Sequence, residues 1–341
     1  MRALLLDGKL KLVNDYPTPE PPPGEALIRV NVAAVCNTDL ELVKGYHQFR
    51  GVPGHEFVGV VERAPGAKAW EGRRVVGEIN VACGTCPTCR ANRPTHCPNR
   101  TTLGIRTRDG AFAEYLTLPI TNLHPVPDAV SDEVAVFTEP LAAACEIVQQ
   151  VHVRPTDRVI VVGDGKLGLL CAQVLALTGC HLTVVGHHRE KLEIVARQGI
   201  PTALDDATVQ GGADVVVEAT GHPGGYAAAR RLVRPRGTIV LKSTYHAPPQ
   251  SPPTLRPCSG RALGGKLQKP LDADLTMAVV DEITLVGSRC GPFAPAMRLL
   301  ERGLVEVTPL IQARYPLSEV LAAFGHAAQP GTLKVLVARE A

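Results

Sequence analysis

A strand-like run, Val159-Ile160-Val161-Val162, leads into Gly163-Asp164-Gly165-Lys166-Leu167-Gly168 and then a helical stretch. No other feature restricts the fold of this chain as far. Gly163 suits the tight turn that leaves a strand, Gly165 lets backbone approach a pyrophosphate, and Gly168 lets the helix close on the strand. The N–H groups and dipole at the helix start then favour phosphate. Alone the G-x-G-x-x-G pattern is weak evidence, but here it opens a repeat of strands at 182–185, 214–218, 238–241 and 283–286 with helices at 167–177, 189–197 and 225–233. Apolar strand runs alternating with helical periodicity predict an α/β chain with a doubly wound parallel sheet.

The second strand of that repeat ends in Gly186-His187-His188-Arg189. A site for NAD places Asp or Glu there, about 20 residues beyond the glycines, on the ribose 2′-hydroxyl. No carboxylate stands at this strand tip, and Glu190 already belongs to the following helix. Gly186 leaves room for a 2′-phosphate, while Arg189, His187 and His188 offer donors to match its charge, so the tip favours NADP(H) over NAD(H).

Four of the ten cysteines crowd together as Cys83-x2-Cys86-x2-Cys89-x7-Cys97. In a reducing compartment that spacing points to metal rather than disulfides. Four thiolates suit tetrahedral zinc, and a site closed by four protein ligands leaves no position for substrate, so it is structural. Gly84, Pro87 and Pro94 predict a lobe made of turns over 83–97. His96, which adjoins Cys97, is an alternative to one thiolate, but the four cysteines are the expected ligands.

The length of 341 residues suits two domains. Before the repeat the chain is strand-rich, strand-like at 2–8 and alternating at 26–32 and 57–62, and after Gly287 it becomes irregular and reads as returning to the first domain. The divisions expected are 1–139, with the lobe 83–97, then 140–288, then 289–341. Within the middle part, 246–270 is rich in proline and carries Arg256, Arg261, Lys266 and Lys269 without an acid, which predicts a long basic loop near the ligand cleft or in solvent. With 36 basic and 33 acidic residues and a net charge of +3, nothing argues for a nucleic-acid surface. No apolar run approaches the ~18 residues a membrane helix needs, and no signal peptide opens the chain, so the expected location is the cytoplasm, away from membranes.

Three further places carry candidate ligands beside turn residues: Cys36-Asn37-Thr38-Asp39, Gly54-His55-Glu56 and Thr138-Glu139-Pro140-Leu141. Together with the cysteine lobe, the dinucleotide motif, Asp109-Gly110-Ala111-Phe112-Ala113-Glu114-Tyr115 and Val217-Glu218-Ala219-Thr220-Gly221, they stand in an order that resembles the zinc-dependent alcohol dehydrogenases of the medium-chain dehydrogenase/reductase superfamily, end to end. Glu139-Pro140-Leu141 is similar to the branch of sorbitol, glucose and other polyol dehydrogenases. The resemblance implies a Rossmann sheet inserted into a mainly β, GroES-like catalytic domain. It implies Cys36 and His55 as ligands of a catalytic zinc, with Glu56 and Glu139 as direct or water-mediated ligands, and hence two zinc ions per chain. Catalytic zinc keeps three protein ligands and an open position, where it acts as a Lewis acid on an alcohol oxygen while hydride passes to nicotinamide.

Thr38 is placed to accept the alcohol proton. Glu41 stands where many relatives carry a histidine that ends the relay, so either Glu41 ends it here or another group, such as His47, does. The resemblance also implies that the strand at 282–287 pairs with a second copy, giving a homodimer or homotetramer. The expected activity is oxidation of a small alcohol or polyol, or reduction of its carbonyl, with NADP(H). The alternative is a non-catalytic NADPH-binding sensor with retained zinc sites. A zinc-stabilised nucleic-acid binder is disfavoured because no basic, base-reading helix follows the lobe.

Overall fold

Neighbouring residues of the first dinucleotide-binding strand face opposite ways. Val159 and Val161 join a core with the helices Thr138–Gln150, Lys166–Ala176, Arg189–Ala196 and Phe293–Glu301, whereas Ile160 and Val162 pack with Tyr226, Ala229 and Leu232 of the helix Pro223–Leu232. Period-two alternation thus buries both faces of the strand, and helices cover both faces of its sheet. In this computed structural model, residues 1–243 and 275–340 are described. The segment 246–270, read from the sequence as a basic loop, lies outside them.

Six parallel strands form this sheet in the spatial order Thr202–Ala203, His181–Val185, Arg158–Val162, Ala213–Glu218, Val233–Leu241 and Thr284–Gly287. The order reverses beside Arg158–Val162, which puts the glycine loop at the crevice where doubly wound sheets take ligands. Two of its glycines are required by close approach. A Cβ on Gly168 would stand 2.0 Å from the Gly163 carbonyl oxygen, and Gly163 itself has φ +123° with the Ala219 backbone 3.1 Å from its own Cβ position. Gly165 differs: a Cβ there would meet nothing within 4 Å, so the cradle in front of the helix Lys166–Ala176 is open.

A second sheet has seven strands with Glu25–Ala34 at its centre, flanked by Glu56–Arg63 and Lys334–Ala338 and also paired with Tyr115–Pro119. The antiparallel register sets Leu336 opposite Ala34, and Ala34 opposite Glu56. Residues from the two ends of the chain therefore meet in adjacent strands. The end of the chain is more regular than its sequence suggests. Phe293, Ala296, Met297 and Leu300 are buried along one face of a helix, and a second helix, Val320–Ala327, sets Phe324 edge-on to Phe112 at 5.0 Å. The lobe is likewise not made of turns alone: Pro87–Arg90 is a short helix and Pro94–His96 a 3-10 turn, each with proline at a starting position where its missing N–H costs nothing.

Candidate metal and dinucleotide sites

The four lobe sulfurs converge. Sγ–Sγ separations are 3.5 Å for Cys86–Cys89, 3.7 Å for Cys86–Cys97 and 3.5 Å for Cys97–Cys83. A zinc tetrahedron with ~2.3 Å arms has edges of about 3.8 Å, so the sulfurs fit that ion. His96 is exposed, with Nδ1 3.1 Å from the Thr95 hydroxyl.

A second group of ligand atoms comes from residues earlier in the chain. Atoms of Cys36, His55 and Glu56 all lie within 4.8 Å of one another. Cys36 caps the helix Asn37–Val43, and its N–H donates to Asp39 Oδ2 at 2.8 Å. Asp39 is fully buried, and its other oxygen stands 3.2 Å from His55 Nδ1. That distance is within ion-pair range, but neither atom makes a hydrogen bond among the described residues; a ligating histidine with an outer carboxylate beside Nδ1 offers Nε2 to the metal. Burial works against the His55 cation, but Asp39 and Cys36 outweigh it and hold the imidazole pKa well above its usual value.

Glu56 and Lys334 form a buried ion pair at 2.5 Å, each 1 % exposed. Burial disfavours the Lys334 ammonium, yet Glu56 and Cys36 raise its pKa. Glu56 Oε1 has no hydrogen-bond partner among the described residues. An orphaned carboxylate oxygen beside a thiol and an oriented imidazole is a donor set that fits zinc. Glu139 is not within that tight group. It is close enough to feel His55 and Glu56, and burial pushes its carboxyl up to about 7. Thr38 brings its hydroxyl to 3.8 Å from the Cys36 sulfur. Glu41 pairs with Lys44 at 2.8 Å, and the His47 ring lies against Tyr46 with centroids 4.0 Å apart.

Asp39 and Lys334 join the site in the structure without being expected ligands. Asp39 did carry a signal, since Cys36-x-x-Asp39 has the spacing of a reciprocal cap, which the structure forms. Lys334 carried none. Only the pairing of Glu25–Ala34 with both Glu56–Arg63 and Lys334–Ala338 brings it to Glu56.

At the dinucleotide end, Gly163, Gly165 and Gly168 shape the loop as expected, and Leu167 packs against the core. The Lys166 ammonium approaches the carbonyls of Val35 at 3.5 Å and Leu333 at 3.4 Å. Burial, with Lys334 nearby, lowers its pKa to about 8. The room expected at Gly186 is absent. A Cβ on Gly186 would lie 2.5 Å from both Cβ and Oδ2 of Asp164. Gly186 accommodates that side chain, and Arg189 sits exposed at the first position of its helix.

Residues 22–128 match the alcohol dehydrogenase GroES-like domain. An L-threonine 3-dehydrogenase of Stenotrophomonas maltophilia is 33% identical over 245 residues, 65% of this chain and 71% of that protein. Among solved structures, a protein described as a zinc-binding dehydrogenase from Sinorhizobium meliloti 1021, bound to NADP, superposes with a TM-score of 0.83 at 27% identity, covering 99% of this chain and 98% of its own. A short chain alcohol dehydrogenase (rspB) from Escherichia coli CFT073, complexed with NADH, gives 0.83 at 25% identity, covering 99% of each chain. The chain belongs to the zinc-dependent alcohol dehydrogenase family of the medium-chain dehydrogenase/reductase superfamily. Its fold is the α/β combination of a doubly wound parallel Rossmann sheet with a mainly β, GroES-like part, and its class is that of oxidoreductases acting on CH–OH donors. Among the described residues, no helix is long and apolar enough to cross a membrane.

Proposed function

We propose that this chain is a zinc-dependent dehydrogenase of a small alcohol, polyol or sugar, with a catalytic metal at Cys36, His55 and Glu56, Glu139 as a further or water-mediated ligand, and a structural metal at Cys83, Cys86, Cys89 and Cys97. The observation that carries the reading is the convergence of Cys36, His55 and Glu56 donors within 4.8 Å, with Asp39 aiming the imidazole. Bound there, zinc supplies Lewis acidity toward the substrate oxygen and nicotinamide supplies the hydride acceptor or donor. Asp39 places a carboxylate beside the His55 imidazole, and Lys334 balances the charge of Glu56. Thr38, whose hydroxyl lies beside the Cys36 sulfur, takes the alcohol proton, and either Glu41 or His47 passes it to solvent. With only one Trp, six Phe and six Tyr in the chain, a mixed polar pocket for a small substrate is favoured over an aromatic one.

The proposed organisation is a catalytic part at 1–139 and 289–341 around a cofactor part at 140–288. The end strand Thr284–Gly287, with Leu285 exposed, supports self-association as a dimer or tetramer, and the proposed location is the cytoplasm. For the cofactor, NADP(H) is supported by Arg189 and by the lack of an acid at the tip of His181–Val185. The crowding at Gly186 supports NAD(H).

The test is a screen of alcohols and carbonyls with NAD(H) and NADP(H), read at the reduced-nicotinamide absorbance, beside metal analysis. Turnover with at least one alcohol–carbonyl pair and about two zinc ions per chain are expected. Dinucleotide binding with no turnover on any alcohol would favour the sensor reading.

A further inference from the structure

The acid that an NAD site carries at the end of its second strand is missing at Gly186, but a carboxylate is present in that place. It comes from the glycine loop. The strands Arg158–Val162 and His181–Val185 run side by side with Val162 opposite Val185, and Gly163 N–H donates to the Val185 carbonyl at 2.8 Å. Asp164, the next residue, folds over Gly186, so that its carboxyl carbon lies 2.6 Å from where a side chain at 186 would begin.

Its hydrogen bonds define what the loop can accept. Oδ2 takes the N–H groups of His187 and His188, both at 2.7 Å, and His188 Nδ1 at 3.0 Å. Oδ1 has only that same Nδ1, at 3.2 Å. The two backbone N–H groups, at the entry to the helix Arg189–Ala196, are the donors a 2′-phosphate would need, and they are already engaged by an anion. Burial opposes ionisation of Asp164, but the donors from His188 and His187 overcome it and hold the pKa below the usual carboxylate value. The loop thus presents a fixed negative charge with one oxygen still able to accept from a hydroxyl.

We infer that Asp164 is the ribose-reading residue of this chain: supplied from the glycine loop in place of the absent strand-tip acid, it accepts the 2′-hydroxyl of NAD(H) and turns away the 2′-phosphate of NADP(H). The inference rests on the reading of the chain as a nicotinamide-dependent dehydrogenase. It reverses the preference drawn from Gly186 and Arg189 in the sequence. A single exposed guanidinium contributes little against a like charge set among the donors the phosphate needs.

The test is equilibrium titration of the purified protein with NADH and with NADPH, followed by nicotinamide fluorescence, for the wild type, Asp164→Asn and Asp164→Ser. Wild type should bind NADH at least roughly tenfold more tightly than NADPH, and both substitutions should move the ratio toward NADPH by roughly tenfold. Should neither variant fold, wild type still decides the matter: 5′-ADP should displace NADH at lower concentration than 2′,5′-ADP does. Tighter binding of NADPH by wild type, or a ratio unmoved in folded variants, overturns the role of Asp164 alone. Binding of neither dinucleotide overturns the dehydrogenase reading on which it rests.

Discussion

Two clusters of metal-binding side chains in one chain are built in opposite ways. The lobe gathers four thiols from a single short segment, Cys83 to Cys97, and its neighbours contribute only turns and one-turn helices. The other cluster takes one residue from a helix cap, one from the residue just before a strand and one from that strand's first position, and its balancing charges from Asp39 and from Lys334 near the end of the chain. A closed site needs only local convergence. An open one must hold an incomplete donor set in low dielectric, so its outer partners carry as much of the design as the ligands do.

The comparison predicts that damage to the second cluster spreads furthest into activity. Cys36→Ser should lower turnover by about a thousandfold or more while the fold survives, because Lewis acidity toward the substrate oxygen is lost. Zinc content should fall from about two to about one per chain, the lobe keeping its ion. Full turnover by a folded Cys36→Ser protein would place the chemistry elsewhere.

Next in size is Lys334→Ala. Removing one member of a buried pair leaves the other charge uncompensated, at a cost of about 3–5 kcal/mol. Denaturant unfolding should show that loss, and Lys334→Arg should recover most of it. A loss below about 1 kcal/mol would mean that the Glu56 charge is balanced by other groups.

These two substitutions also mark where the sequence was readable. Spacing along a few residues reveals the lobe, the glycine loop and the strands of the parallel sheet, because each is set by local geometry or by period-two burial. Cys36 and His55 came from the resemblance to a family rather than from spacing. Lys334 could not be read at all, since a lysine in an apolar run gives no sign of the sheet register that buries it beside Glu56. Gly186 misleads for a related reason. A glycine shows that a side chain is missing, but the structure shows that the space belongs to Asp164, twenty-two positions earlier. The helix Phe293–Glu301 is a different case: its apolar residues at 293, 296, 297 and 300 carry helical spacing in a segment whose overall pattern is irregular.

Asp39→Asn should sharpen the role of the outer partners with a smaller effect. The carboxylate orients His55, so zinc affinity or turnover should fall by about 10- to 100-fold, the usual range for such partners. The reciprocal cap with the Cys36 N–H weakens as well, at about 1 kcal/mol of stability. Zinc affinity measured by competition with a chelator separates the two: a change confined to unfolding would leave Asp39 as a helix cap only.

The smallest effect is expected on the lobe side, at His96. It adjoins Cys97 and could in principle replace a thiolate, yet its ring is exposed and its Nδ1 turns to the Thr95 hydroxyl. Three sulfur separations already match the edges of a zinc tetrahedron, so the closed site has no position left for an imidazole. His96→Ala should therefore leave zinc content at about two per chain and stability within about 0.5 kcal/mol of wild type, as for an ordinary surface position. Loss of one zinc with turnover intact would show that the lobe is not closed by its four cysteines, and the contrast between a self-sufficient site and a supported one would fail.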